Sequence, residues 1–131
     1  MANAIYPKYK EALLNGSANT NMSSGTVKVA LVDTGTYTYS ATHEFLSSLT
    51  GRVGTDATLG TKTFTNGTFD AANSTYTAVS GATVEALVVY IDTGVAGTSR
   101  LIAYRDTGVT GLPGTPNGGD INITWDAAGI F

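Results

Sequence analysis

A chain of 131 residues fits one domain, with a core that buries roughly two-thirds of the unfolded surface. Apolar residues make up 42%, which excludes a disordered tail, while charged residues make up only 13%, about half the usual share. The 7 basic and 10 acidic residues give a net charge of −3 with no basic run for a phosphate backbone, so nucleic acid is not an expected partner.

Cysteine is absent, which rules out disulfides, thiolate chemistry and cysteine-based zinc sites. No apolar stretch approaches the ~20 residues that span a bilayer, so no membrane partner is expected. No apolar signal region follows Met1, and the expected product is one made in a cytoplasm without a cleaved signal. Thr, Ser, Asn and Gly do the solvating, as in many extracellular or particle-bound β proteins.

In chain order, the first predicted element is a two-turn helix. Pro7 sits in its first turn, Tyr9, Ala12 and Leu13 lie at i, i+3 and i+4, and Gly16 closes it. Residues 1–16 read as a helical arm whose Ile5, Tyr6, Tyr9 and Leu13 are candidates for contact with a neighbour. The polar segment from Asn15 to Gly25 reads as its tether, so that deleting the arm would leave a β domain over residues 17–131.

Thr26 to Asp33 is a predicted strand with Val27, Val29 and Leu31 on one face. A second short helix is predicted from Thr42 to Gly51, with Phe45, Leu46 and Leu49 as its stripe. Asn66-Gly67 signals a hairpin, and Ser74 to Val79 alternates with Tyr76 inward. Val84 to Ile91 is almost continuously apolar, the profile of a central strand buried on both faces and paired antiparallel with Ser99 to Arg105. Gly108 to Gly119 holds two prolines and five glycines and reads as a long loop; Asp120 to Trp125 is a last strand before Ile130-Phe131. Short strands with frequent turn signals predict an all-β fold, an antiparallel β-sandwich or jelly-roll-like domain with one or two short helices.

Asp-Thr-Gly occurs three times after a strand, at Asp33, Asp92 and Asp106. The first copy resembles the active-site segment of aspartic peptidases, which would require a homodimer sharing a proton between two Asp33 carboxylates. The residues after the glycines, Thr36, Val95 and Val109, depart from the Ala or Ser of that family, and its later apolar-apolar-Gly segment is missing. Asx turns explain the repeats more simply: the carboxylate accepts from a backbone N–H two residues on, and glycine supplies positive φ.

The single histidine, His43, could join a triad with Ser40, Ser47 or Ser48, but no nucleophile elbow is present. Asp33, Asp92, Asp106 and Asp120 could converge on calcium, without the spacing of a calcium loop. No cofactor is indicated. Tyr6, Tyr9, Tyr37, Tyr39, Tyr76, Tyr90, Tyr104 and Trp125 are more aromatics than a small core is expected to hold, which nominates Tyr37 and Tyr39 as an exposed interface pair. Phe131 is a further interface candidate.

The opening Ala2-Asn3-Ala4-Ile5-Tyr6-Pro7-Lys8-Tyr9-Lys10-Glu11-Ala12-Leu13-Leu14, the segment from Val27 to Ser40, and Pro116-Asn117-Gly118-Gly119-Asp120-Ile121-Asn122-Ile123-Thr124-Trp125-Asp126 resemble small structural proteins of tailed bacteriophages. Among these, the size and β-rich character resemble a capsid cement, or decoration, protein. The resemblance implies a non-enzymatic virion component on the capsid surface, a homo-oligomer with a trimer favoured, and the major capsid protein as partner. The alternatives are a tail, tail-fibre or head–tail connector component, a homodimeric aspartic peptidase using Asp33, or a carbohydrate-binding sandwich using Tyr37, Tyr39 or Trp125.

Overall fold

The computed structural model describes residues 3–131. The chain builds two antiparallel sheets, and the fold is all-β and sandwich-like, with one short helix. In chain order the elements are β1 (Ala4–Ile5), α1 (Pro7–Asn15), β2 (Thr26–Val32), β3 (Arg52–Thr58), β4 (Ser74–Tyr76), β5 (Ala86–Asp92), β6 (Leu101–Arg105) and β7 (Ile121–Ile123). The larger sheet runs β1-β6-β5-β2-β3, and β4 pairs with β7 in the smaller one.

The centre of the sheet follows directly from the sequence. β5 is buried from Ala86 to Ile91, as a strand covered on both faces must be. It lies between β2 and β6, antiparallel to both. Alternation places Val27, Val29 and Leu31 on one face with their partners Ile91, Val89 and Leu87. Lys28, Ala30 and Val32 fall on the other face with Tyr90, Val88 and Ala86. The smaller sheet joins this core through Tyr76, whose hydroxyl donates to Val29 O at 3.1 Å.

Several sequence expectations are corrected. The segment over 42–51 is not a helix: Phe45 is extended and bridges Arg100, and only a 3-10 turn at Leu46–Ser48 remains. Its backbone bonds across to the neighbouring strand, with Leu46 N donating to Ser99 O and Leu101 N to Glu44 O, so tertiary pairing overrides the helical stripe. β3 was hidden in what reads as a connection, because Gly54 at φ +70 and a register shift interrupt its alternation. The Asn66-Gly67 signal yields a 3-10 turn closed by a single Thr63–Asp70 bridge, not a hairpin of two strands.

Within residues 1–16, the described part, from Asn3 onward, is built into the sheet and is not a detachable arm. Ala4 and Ile5 pair with Tyr104 and Ala103 as the edge strand, and Tyr6 N donates to Ile102 O. Tyr6 is fully buried, with Tyr9 and Ala12 nearly so. α1 starts at Pro7 and ends at Gly16 in the left-handed conformation, as the sequence predicts. The following segment is tied rather than free. Tyr9 Oη donates to Thr20 O, Asn21 Oδ1 accepts from Ser23 N and Ser24 N, and Lys62 Nζ donates to Met22 O and Gly25 O at 2.7 Å.

Candidate functional site

The three Asp-Thr-Gly copies end up in different local structures. Asp33 Oδ1 accepts from Gly35 N at 2.8 Å and Oδ2 from the Thr36 hydroxyl at 3.0 Å, closing an Asx turn. Asp92 Oδ1 accepts from Gly94 N at 2.9 Å, and Oδ2 pairs with Lys28 Nζ at 2.9 Å. The lysine contact, with the Gly94 N–H second, holds the Asp92 carboxyl below its ordinary range. At the third copy the turn is held from outside. Asn3 Oδ1 accepts from Asp106 N and Thr107 N, while Asn3 Nδ2 donates to Thr107 O. The four candidate calcium ligands do not gather: Asp120 Oδ1 accepts from Ala78 N instead, and among the described residues no three His, Cys, Asp or Glu side chains could hold a metal together.

The tyrosines form the most connected side-chain cluster. Tyr6 and Tyr37 share a hydroxyl–hydroxyl hydrogen bond of 2.8 Å, and Tyr37 Oη lies 2.7 Å from His43 Nδ1. The Tyr39 ring sits 5.1 Å from Tyr6 and 5.4 Å from Tyr104, centroid to centroid. Burial pushes the Tyr6 and Tyr37 hydroxyls above the ordinary tyrosine range, so both stay protonated as hydrogen-bonding groups at neutral pH. His43 therefore meets a tyrosine through Nδ1, and Ser40 bonds Thr42 instead, so the two do not assemble into a triad.

Burial redistributes the interface candidates. Tyr6, Tyr9 and Tyr37 belong to the core, with Tyr37 only 2% exposed, and they cannot meet a partner directly. Ile5, Tyr39 and Phe131 are half-buried against that core. Trp125 is buried too, which removes it as a sugar platform. Leu13 remains exposed at 49%, and its neighbour Leu14 is exposed at 89%.

Beside Tyr39 the surface opens into a groove of about 450 Å³, lined in part by Thr38, Tyr39, Glu85, Tyr104 and Asp106. It brings together parts of two Asp-Thr-Gly turns, Thr34 from the first and Asp106-Thr107 from the third. Glu85 is the one charge in the run from Val84 to Ile91, and the sequence does not show what it meets. Its Oε1 accepts from Thr34 N at 3.0 Å across 51 positions of sequence.

A second, more open depression of about 600 Å³ lies over the polar end of the sheet. There Lys28 pairs with Asp92, Arg52 with Asp56 at 2.7 Å, and Tyr90 Oη donates to Asp56 Oδ2 at 2.5 Å. Burial, followed by the hydrogen bond to Asp56, pushes the Tyr90 hydroxyl well above the ordinary tyrosine range. Each charge here is paired within the fold, so this surface is a cross-strand brace. No known protein family matches the sequence, and no curated protein matches it as a relative.

Proposed function

We propose that this chain is a non-enzymatic structural protein of a tailed-phage particle, a cement protein that binds and stabilises the head shell. The observation that carries the reading is the exposed leucine pair on a fixed helix. Leu14 stands in solvent at 89% exposure on the side of α1 away from Tyr9 and Ala12, which lock the helix into the core, and Leu13 stands at the flank of that buried stripe at 49%. A rigid platform presenting apolar side chains suits docking, because little conformational entropy is lost when a partner covers it.

Burying what these two leucines still expose contributes about 2–4 kcal/mol before the costs of association, which is a weak contact alone. A homo-oligomer, with a trimer as the favoured state, would engage several major capsid subunits at once. Effective concentration then raises a weak contact to stable occupancy. In this reading the protein is made in the host cytoplasm and resides on the outer capsid surface. The sequence resemblance to phage structural proteins and the low surface charge support it from a different side.

The test is reconstitution. Heads lacking the protein are mixed with the wild-type chain or with Leu14→Ser, and bound copies per head are counted after sedimentation. Many copies per head for wild type, fewer for Leu14→Ser, and an unchanged melting temperature of the free variant are expected. A handful of copies confined to one vertex or to tails would instead make the chain a connector or tail component. No binding to particles would remove the proposal.

A further inference from the structure

The groove beside Tyr39 joins aromatic rings to oxygen-bearing side chains. Tyr37 and Tyr104, both buried, and the half-buried Tyr39 form its tyrosine wall, and Pro113 adds apolar surface from the long loop. Glu85 and the exposed Thr38 and Thr107 supply the polar side. Asp106, at the same recess, is already engaged within the chain, so Glu85 is the carboxylate that a ligand meets there. A pyranose ring has the complementary division: C–H faces that pack on aromatic rings, and a rim of hydroxyls that both donate and accept hydrogen bonds.

We infer that this groove binds a neutral sugar residue of a glycan, its C–H face on Tyr39 and two adjacent hydroxyls on Glu85. The volume, about 450 Å³, holds a hexose with part of a linked neighbour. Glu85 is set in advance: Oε1 accepts from Thr34 N of the Asp33 turn at 3.0 Å, while among the described residues no hydrogen bond engages Oε2. A carboxylate oxygen takes more than one donor, so one sugar hydroxyl can share Oε1 while its neighbour takes Oε2. Tyr39 is held between Tyr6 at 5.1 Å and Tyr104 at 5.4 Å, centroid to centroid, so its ring is a fixed platform that loses little entropy on binding. A hydroxyl-rich ligand is favoured over a purely apolar one, because covering Glu85 and the threonine hydroxyls without giving them partners is costly. None of the described lining residues lies on α1, so this binding is independent of the shell reading.

The experiment uses the ¹⁵N-labelled full chain and the methyl glycosides of glucose, galactose and mannose, with cyclohexanol and the peptide acetyl-Gly-Arg-Gly-amide as comparisons. At least one glycoside is expected to shift the amides of Thr34, Thr38 and Thr107, saturating with a dissociation constant on the order of 1 mM. Binding should weaken roughly tenfold in Glu85→Gln, which keeps an oxygen for Thr34 N but puts a donor amide in place of Oε2. Tyr39→Leu should weaken it as well, while Glu11→Gln should leave it unchanged; Glu85→Gln decides if Tyr39→Leu fails to fold. Raising salt to about 0.5 M should leave the affinity within about twofold, since the ligand carries no charge. No shifts with any glycoside, equal shifts with cyclohexanol, or indifference to Glu85→Gln would overturn the assignment. Shifts with the arginine peptide and not with the glycosides would overturn it too, and would make the groove a cation site.

Discussion

Removing residues 1–16 should unfold the protein rather than trim it. The segment supplies the edge strand against Tyr104 and Ala103, together with the buried Tyr6, Tyr9 and Ala12. Truncating one large buried aromatic to alanine costs about 3–5 kcal/mol. Losing two tyrosines therefore approaches the whole stability of a domain this size, about 5–15 kcal/mol. The point variant Tyr6→Ala isolates the effect: a loss of about 3–5 kcal/mol and a melting temperature lower by roughly 10–20 °C. Tyr6→Phe, which keeps the ring and leaves Tyr37 its contact with His43, should cost only about 1 kcal/mol. Urea titrations followed by the fluorescence of the buried Trp125 measure all three variants on one scale. If residues 17–131 alone give a dispersed amide spectrum and a urea midpoint close to that of the whole chain, the packing argument is wrong.

Asp33→Ala should destabilise by about 1 kcal/mol, because Gly35 N and the Thr36 hydroxyl lose their acceptor, and Asp33→Asn should recover most of it; urea midpoints decide. Tyr90→Phe should cost about 2 kcal/mol through the lost bond to Asp56, with little change in near-ultraviolet dichroism. The Asp92 carboxyl is held below its unfolded value, so its contribution is complete above about pH 4 and disappears as pH falls through the lower folded value. Lys28→Met should therefore lose about 0.5 kcal/mol at pH 7, a small figure because the pair is partly exposed, and nothing at strongly acid pH. A loss that is equal at both pH values would contradict the linkage.

The sheet's centre was legible because its signal is local. From Ala86 to Ile91 the run is apolar without alternation, and a strand covered on both faces needs that. β3 and β1 were not legible, since one carries a glycine bulge and the other is two residues long and defined only by its partner β6. The tyrosines misled for a chemical reason. A count of aromatics against core volume treats a hydroxyl as something that needs water. Here Tyr6, Tyr37, Tyr9, Tyr76 and Tyr90 each find a protein partner for it. A paired phenol can be buried at little cost, so the core accepts more tyrosine than the count allows. The groove was illegible because Glu85 and Thr34 meet only through the fold.

The repeated Asp-Thr-Gly shows how far a tripeptide determines its own surroundings. At Asp33 and Asp92 the carboxylate reaches the glycine N–H two residues on, at 2.8 and 2.9 Å, so the turn is closed by the motif itself. At Asp106 the same letters are held by Asn3, more than a hundred positions away in sequence. The motif's own carboxylate thus closes the first two turns, whereas at the third Arg105 Nη2 and Asn3 Nδ2 both reach Thr107 O and Asn3 Oδ1 takes the Asp106 and Thr107 N–H groups. The N-terminal segment accordingly fixes two things together, the edge of the sheet and the Asp106-Thr107 wall of the groove. A change that weakens its docking should therefore disturb the groove as well. Amide shifts at Thr107 in Asn3→Ala, with Thr34 unmoved, would show that coupling at one turn, and shifts at neither would show that the wall stands without it.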